Sequence, residues 1–417
     1  MEKTKKLALY FPDLARIHLY KDVIQLPYYL SKAYDLDVSV YYLRKKKEEL
    51  PEKYKGIKLC QLCGNTKNRL NSVFMFRVFK YITSPFLGVI RKKAKEIDIL
   101  MFYHFGFDKY PIIKSYKKHN KNGKIYLKLD ANTNFTEIYG SHFAKKDIVS
   151  LVKRRIMIYM IRQTELFSCE TKNVYNLIRN NPLWQYMKEK LAIIPNGFDY
   201  EEILDNKIKI KPYEEKENIF CVVGRLSAPE KNVSLILEAI KKIDLKDWKL
   251  LLVGPIENNS DFGIKLSEFQ NSGKTKNIVI TGNVLNRKTL FDIYNKSKCF
   301  ILSSNSESFG NVLLEAGIFG NYIISTRVGG ASDITNNEEL GSIIEPGNIQ
   351  QLSSIMKSII NKEIDIKSVS YSLKIKVNQE FTWGVVVNNE AYRRFFGKTF
   401  VQDEILSKCV EKGKKRK

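Results

Sequence analysis

The sequence predicts an α/β protein made of two doubly wound units, and three observations carry that expectation. Short apolar runs of strand length alternate with amphipathic stretches of helical period. The alternation starts afresh after a polar, Lys- and Glu-rich stretch at 205–218, read as the connection between units. The chain has 417 residues, 44% of them apolar: too long for one ordinary domain, and ordinary for a chain that buries a core.

In the first series, 6–11 reads as a strand, and 18–32 as a helix with Val23, Leu26, Leu30 and Ala33 along its apolar side. A strand at 36–42 follows. Residues 71–97 read as helical with a break at Pro85, 99–103 as a strand, and 106–120 as a loop and helix. Residues 124–129 form the next strand and 147–163 a long amphipathic helix, with short strands at 166–169 and 191–194. The second series has strands at 219–223, 250–253, 278–281, 299–302 and 322–325. Helices are expected at 233–243, at 287–295 and from 310. Such alternation builds parallel sheets with helices on both faces. Two such units place a cleft between the carboxyl ends of their strands, where ligands of open α/β sheets bind.

Composition narrows the function. No run of about 18 apolar residues occurs, so no transmembrane helix is expected. The amino terminus is charged and then briefly apolar, but the run breaks at Pro12-Asp13 with no small-residue cleavage site. It reads as a first buried strand, and the protein is expected to be cytoplasmic. Six cysteines are scattered along the chain, several in strand-like runs, which suits buried thiols. Cys60-Gln-Leu-Cys63 is an isolated C-x-x-C with no second pair or nearby His, so no metal site is expected.

The net charge of +25 is unevenly spread: residues 1–200 carry 38 Lys and Arg against 18 Asp and Glu, and the remainder carry 32 against 27. A basic half attracts anionic partners such as nucleic acid, acidic glycans or anionic lipid heads. Free use of Lys on solvated faces accounts for much of the total but not for the asymmetry. In that half, 71–82 mixes large apolar residues with cations, and Arg91–Lys95, Lys145-Lys146 and Lys153–Arg155 add to it. This reads either as a segment for an anionic membrane surface or as an amphipathic core helix with a solvated basic face.

The chemistry concentrates at strand ends of the second series. Strand 299–302 runs into Ser303-Ser-Asn-Ser-Glu307-Ser-Phe-Gly310, and a helix carrying Glu315 follows. A polar, Gly-containing turn before a helix aims backbone N–H groups at a phosphate, and carboxylates accept hydrogen bonds from vicinal hydroxyls. The bland alternative is two unrelated glutamates, one of them a helix-start charge. Strand 219–223 runs into Gly224-Arg225-Leu-Ser-Ala-Pro-Glu-Lys231-Asn232, placing two cations where a diphosphate leaving group needs charge stabilisation. Leu252-Val-Gly254-Pro255, Thr281-Gly-Asn-Val284 and Thr326-Arg-Val-Gly-Gly330 end neighbouring strands.

This order of motifs, dense over 219–347, resembles the retaining glycosyltransferases of family 4, which have the GT-B fold. Ile194-Pro-Asn-Gly-Phe-Asp199 is similar to the family's hinge segment, and Phe381-Thr-Trp383 to the start of its C-terminal crossing helix. The resemblance implies an acceptor-binding domain at 1–198, a nucleotide-sugar domain at 199–380, a crossing helix at 381–400 and a basic tail at 401–417. It implies that Arg225 and Lys231 hold the donor diphosphate, Glu315 the ribose hydroxyls, and Glu307 the transferred sugar. Ser308, Phe309, Gly310 and Asn311 would line the donor site with Gly224 and Gly254, and Val284 would lie near the base. It further implies retention at the anomeric carbon, no metal and no cofactor beyond the nucleotide-sugar co-substrate, with UDP the commonest nucleotide.

The first half departs from the family. The usual Gly-rich first loop is replaced by Pro12-Asp-Leu-Ala-Arg-Ile-His18-Leu-Tyr-Lys21, where His18 or Lys21 could supply side-chain contacts instead. Where relatives often carry a His after the strand at 124–129, this chain has Asp130. That carboxylate either meets donor or acceptor hydroxyls, or assists the acceptor proton, or caps a turn. His104 ends strand 99–103 and reads equally as a cleft residue or a satisfied core residue. The expected partners are a nucleotide-sugar donor and a glycan or lipid-linked acceptor, at the inner face of the plasma membrane if the basic half meets lipid. The competing class, a basic nucleic-acid- or anionic-surface-binding protein without transferase activity, finds no recognition motif to support it.

Overall fold

The structure is a computed structural model that describes residues 4–43, 49–62, 84–144, 147–271 and 276–397. The basic segment 71–82, Lys145-Lys146, Cys63, Cys409 and the tail at 401–417 lie outside these. The chain divides into two compact units, one of 4–194 with 383–397 and the other of 195–382.

The first unit is built on β1 (Lys5–Tyr10), β2 (Leu36–Leu43), β3 (Lys53–Tyr54), β4 (Ile57–Leu62), β5 (Ile99–Tyr103), β6 (Lys124–Lys128), β7 (Leu166–Cys169) and β8 (Leu191–Ile193). Their order is β3-β4-β2-β1-β5-β6-β7-β8, parallel throughout except for β3 against β4. The inner strands β5 and β7 are buried at every position, as expected of a parallel sheet covered on both faces. Two apolar cores lie on these faces, one around Leu9, Ile24 and Val40, the other around Phe102, Ile113 and Phe167. The C-terminal helices Trp383–Val386 and Glu390–Phe396 complete the first core. There the indole N–H of Trp383 donates to Gln25 Oε1 at 2.8 Å, and the hydroxyls of Tyr126 and Tyr392 lie 2.8 Å apart.

The second unit has β9 (Glu217–Val223), β10 (Lys249–Val253), β11 (Ile278–Gly282), β12 (Ser297–Leu302), β13 (Tyr322–Thr326) and β14 (Ser342–Ile344), in the order β11-β10-β9-β12-β13-β14, all parallel. The strand order reverses between β9 and β12 here, and between β1 and β5 in the first unit. The carboxyl ends at such a switch point leave the crevice where open α/β sheets hold ligands. Several helices start at a polar cap. Thr171, Asp147, Asn286, Asn348, Asp365 and Asn389 each accept a first-turn N–H.

Two sequence expectations need correction. The helix expected over 18–32 is two elements, a short 3-10 turn Arg16–Tyr20 and a helix Asp22–Tyr34. The break comes at Lys21, which is extended, and the His18 ring closes the turn by accepting the Ala15 N–H at 2.9 Å. The stretch 205–218 does not connect the units but lies inside the second. Lys216 within it is buried and donates to the carbonyls of Tyr294, Asn295 and Ser297. The strands β3, β4 and β14 were not anticipated. β3 and β14 are short and lie at sheet edges, and β4, six residues long, lies between β3 and β2.

Candidate functional site

The second unit's site grows from the carboxyl edge of its sheet. Gly224, Gly254 and Gly282 end β9, β10 and β11, and all have positive φ. A Cβ on Gly254 would sit 1.7 Å from the Gly224 carbonyl oxygen, so only glycine lets these two strand ends meet. The Gly254 N–H donates to Gly282 O at 2.9 Å and the Gly224 N–H to Val253 O at 3.0 Å. At these three strand ends the rim of the sheet is therefore backbone alone, open to close approach by a ligand.

Two loops flank the switch point and are laced together. Asn305 N–H donates to Glu230 O at 2.7 Å, and Ser303 Oγ donates to Lys231 O at 2.9 Å. Lys231 Nζ lies 2.5 Å from Glu307 Oε1, which also accepts from Ser304 Oγ at 2.7 Å. Lys231 and Glu307, 76 residues apart, thus share one ion pair. Arg225 pairs instead with Glu230, and its side chain is 71% exposed. The Glu307 loop rests on the Val-Gly-Gly turn. Gly330 N–H donates to Phe309 O at 2.8 Å, and a Cβ on Gly329 would fall 2.6 Å from that same oxygen. Phe309 is buried, Ser308 half-buried, and Gly310 takes a left-handed conformation that opens the helix Asn311–Ile318. Asn311 Oδ1 accepts from Asn196 at 2.9 Å, and Val284 packs at the edge of the core.

Glu315 stands on that helix in a second ionic cluster. Its Oε1 accepts from Arg287 Nη1 at 2.8 Å and its Oε2 from the Tyr294 hydroxyl at 2.8 Å. Arg287 also donates from Nε and Nη2 to Glu202 Oε2, at 3.0 and 2.7 Å. Burial alone would depress Arg287, but Glu315 and Glu202 outweigh it and hold the guanidinium charged. Burial raises Glu202, with Arg287 opposing. Burial, then the neighbouring Glu315, keeps Tyr294 a neutral donor.

The first unit gathers a third group at the ends of β5 and β6. His104 and Asp130 both have positive φ, 59° and 44°, and His104 Nδ1 lies 3.7 Å from Asp130 Oδ2. Behind them Lys128 is fully buried against Glu170, with Asp22 Oδ2 at 3.6 Å. Glu170 also accepts the Asp130 and Ala131 N–H groups, at 3.2 and 3.3 Å, and so holds the left-handed turn. Burial pushes Glu170 up to about 7, opposed by Lys128. Burial alone would depress Lys128, but Glu170 and Asp22 outweigh it and raise it above the ordinary lysine range. His18 is engaged in its own turn, and Lys21 is exposed ahead of the helix Asp22–Tyr34.

The structure therefore joins Lys231 with Glu307 and His104 with Asp130, and gives Arg225 and Glu315 partners of their own. Sequence reasoning missed Glu230, Arg287, Tyr294, Glu202, Lys128 and Glu170. Lys128 and Glu170 carried one signal: charged residues at the ends of otherwise apolar strands.

Residues 205–376 match the family model described as glycosyl transferases group 1. The second unit is a group 1 glycosyltransferase domain. The CapM capsular polysaccharide biosynthesis glycosyltransferase of Staphylococcus aureus is 26% identical over 46% of this chain and 50% of its own length. An uncharacterized glycosyltransferase of Methanocaldococcus jannaschii is 26% identical over 56% of this chain and 60% of its own. The chain thus spans about half the length of these curated relatives. The O-antigen chain mannosyltransferase C of Escherichia coli is 24% identical over 70% of this chain and 74% of its own length. Among solved structures, a glycosyltransferase of Rickettsia africae superposes with a TM-score of 0.68 at 18% identity, covering 94% of this chain and 98% of that one. Anabaena HepE, solved with UDP and glucose, superposes with a TM-score of 0.63 at 15% identity, covering 94% and 98%. The fold is that of the GT-B glycosyltransferases: two Rossmann-like domains with parallel sheets.

Proposed function

We propose that this group 1 glycosyltransferase moves a sugar, with retention and without a metal, from a nucleotide-diphosphate sugar to a hydroxyl of a glycan or lipid-linked saccharide. Surface polysaccharide or glycolipid synthesis is the process that fits, and UDP is the favoured nucleotide. The observation that carries this reading is the Lys231–Glu307 pair set at the switch point beside a rim of glycines, with Arg225 exposed next to it. Backbone-only strand ends admit a diphosphate closely, and two cations then face it. Arg225 can leave Glu230 at little cost, because an exposed pair contributes only ~0–1 kcal/mol.

In this reading Arg225 and Lys231 stabilise the charge that grows on the departing β-phosphate. Glu307, held by Lys231 and Ser304, meets hydroxyls of the transferred sugar. Glu315 takes the ribose, and Val284 lies near the base. Ser308, Phe309, Gly310 and Asn311 present the start of their helix to phosphate or sugar. The acceptor hydroxyl attacks from the face the leaving group vacates, and its proton passes to the departing phosphate. Asp130, with His104 beside it, contacts donor or acceptor hydroxyls, and His18 or Lys21 stands in for the absent glycine loop. The domains are assigned as 1–198 for the acceptor, 199–380 for the donor and 381–400 for the crossing helix.

A panel of nucleotide sugars screened by thermal shift, then by donor hydrolysis and transfer, tests the reading. Arg225→Ala and Lys231→Ala are each expected to lower turnover by ~10²-fold or more. Near-normal turnover in either sinks the assignment of that cation, and salt-sensitive nucleic-acid retention without donor hydrolysis sinks the transferase reading.

We further infer attachment to the inner face of an anionic membrane. The helix Ile148–Gln163 leaves Ile148, Val149, Leu151 and Val152 exposed in its first turns, with Arg154 and Arg155 exposed just beyond. Apolar residues beside cations on one surface helix suit an anionic leaflet. Among the described residues no helix is long and apolar enough to cross a membrane.

A further inference from the structure

Glu315 is more tightly equipped than a lone ligand-binding carboxylate needs to be. An ionised carboxylate offers about four acceptor positions, two on each oxygen. Arg287 Nη1 occupies one on Oε1, and the Tyr294 hydroxyl occupies one on Oε2. One position is left on each oxygen. Two acceptors at that fixed separation match two neighbouring hydroxyls, and the side chain keeps 14% of its surface open to receive them.

The two donors are themselves fixed. Arg287 is gripped by Glu202 through two N–H groups, and its guanidinium lies over the Phe291 ring, 4.5 Å from the centroid. Tyr294 is fully buried and stacks on Phe319, with ring centroids 6.1 Å apart and planes 4° from parallel. Neither group can follow Glu315 if it turns away, so both hold it in one rotamer.

We propose that Arg287 and Tyr294 are positioning residues that make Glu315 a two-hydroxyl acceptor, and that they set a preference for a ribonucleotide over its 2′-deoxy counterpart. This rests on the donor-site reading above, in which Glu315 faces the ribose. Neither residue touches the reacting atoms. Their effect falls on a hydroxyl of the nucleotide, through the carboxylate they aim.

Titration calorimetry with UDP, GDP and ADP, each beside its 2′-deoxy form, tests this on the full chain. The nucleotide bound most tightly supplies the ratio of deoxy to ribo Kd. Wild type is expected to favour the ribo form by about tenfold, the worth of one well-made hydrogen bond to a charged group. Tyr294→Phe keeps the ring and its packing, so it should fold and still lose most of that ratio. The loss should be larger for the ribo form, which gives up two hydroxyl contacts to Glu315, than for the deoxy form, which keeps its 3′-hydroxyl and gives up one. Arg287→Lys keeps the charge without the fork and should behave the same way. A purely structural role for either residue would weaken both forms alike. An unchanged ratio in both variants, with the ratio abolished by Glu315→Ala, overturns the proposal and leaves the donor-site reading standing. A ratio untouched by Glu315→Ala, or no binding of any of the three nucleotides, sinks the donor-site reading and the proposal together.

Discussion

At the scale of single residues, the molecule is governed by buried charges whose partners come from distant parts of the chain. Lys216 is the simplest to test. Its ammonium nitrogen donates to three main-chain carbonyls, of Tyr294, Asn295 and Ser297, and burial pushes its pKa down from 10.5 to about 7. Between those values the folded protein binds fewer protons than the unfolded chain. The residue's contribution to stability is therefore full above 10.5 and lost as pH falls through 7. The stability of wild type relative to Lys216→Met, read from thermal or denaturant melts, should accordingly rise from pH 7 to pH 9, by up to about 1.4 kcal/mol per pH unit. A difference that stays flat would mean that the three carbonyls keep the ammonium charged. None of this was legible in the chain, where Lys216 sits in a run of Lys and Glu that reads as solvated linker. The same blindness hid Arg287 and Glu202. A charged residue announces its type in the sequence but not which distant partner neutralises it.

At the scale of elements, the glycines at the strand ends separate backbone necessity from mere convenience. Gly254 combines a φ of 143° with a Cβ position 1.7 Å from the Gly224 carbonyl oxygen. Gly254→Ala must push β10 from β9 at the rim, and is expected to cost about 1–3 kcal/mol and to weaken donor binding with it. Gly88, inside the helix Pro85–Lys93, has nothing within 4 Å of its Cβ position. Gly88→Ala should raise stability by about 0.5–1 kcal/mol. Paired denaturant melts check both signs, and a neutral Gly254→Ala would show that the rim yields. Much at this scale was readable in advance. The polar residues that cap the helices, the strand runs around the site and the glycine punctuation are local features with local causes. The break at Lys21 was not readable, because a histidine closing its own turn leaves the apolar period of 18–32 intact.

At the scale of the whole molecule, the charge asymmetry between the halves is the property most open to experiment. If the first unit meets an anionic leaflet, the protein should float with vesicles containing anionic lipid at low salt and come off as salt screens the attraction. Ile148→Glu with Leu151→Glu should reduce the floated fraction several-fold without lowering the thermal midpoint, since both side chains are exposed. No flotation at low salt would remove the membrane reading and leave the basic face to the acceptor.

The sequence by itself determined that this is a protein of two α/β units, because strand and helix periods and their Gly, Pro and Asn boundaries are set within a few residues. It also determined which strand ends carry polar motifs, since those motifs follow directly on apolar runs. Only the tertiary structure decided who meets whom. Glu315 is matched with Arg287 from 28 residues before it, Arg287 with Glu202 from 85 residues before it, and the Asp130 backbone with Glu170 from 40 residues after it. Those meetings depend on strand order, and strand order is fixed by how two faces of each sheet are buried at once, which no local stretch of chain contains.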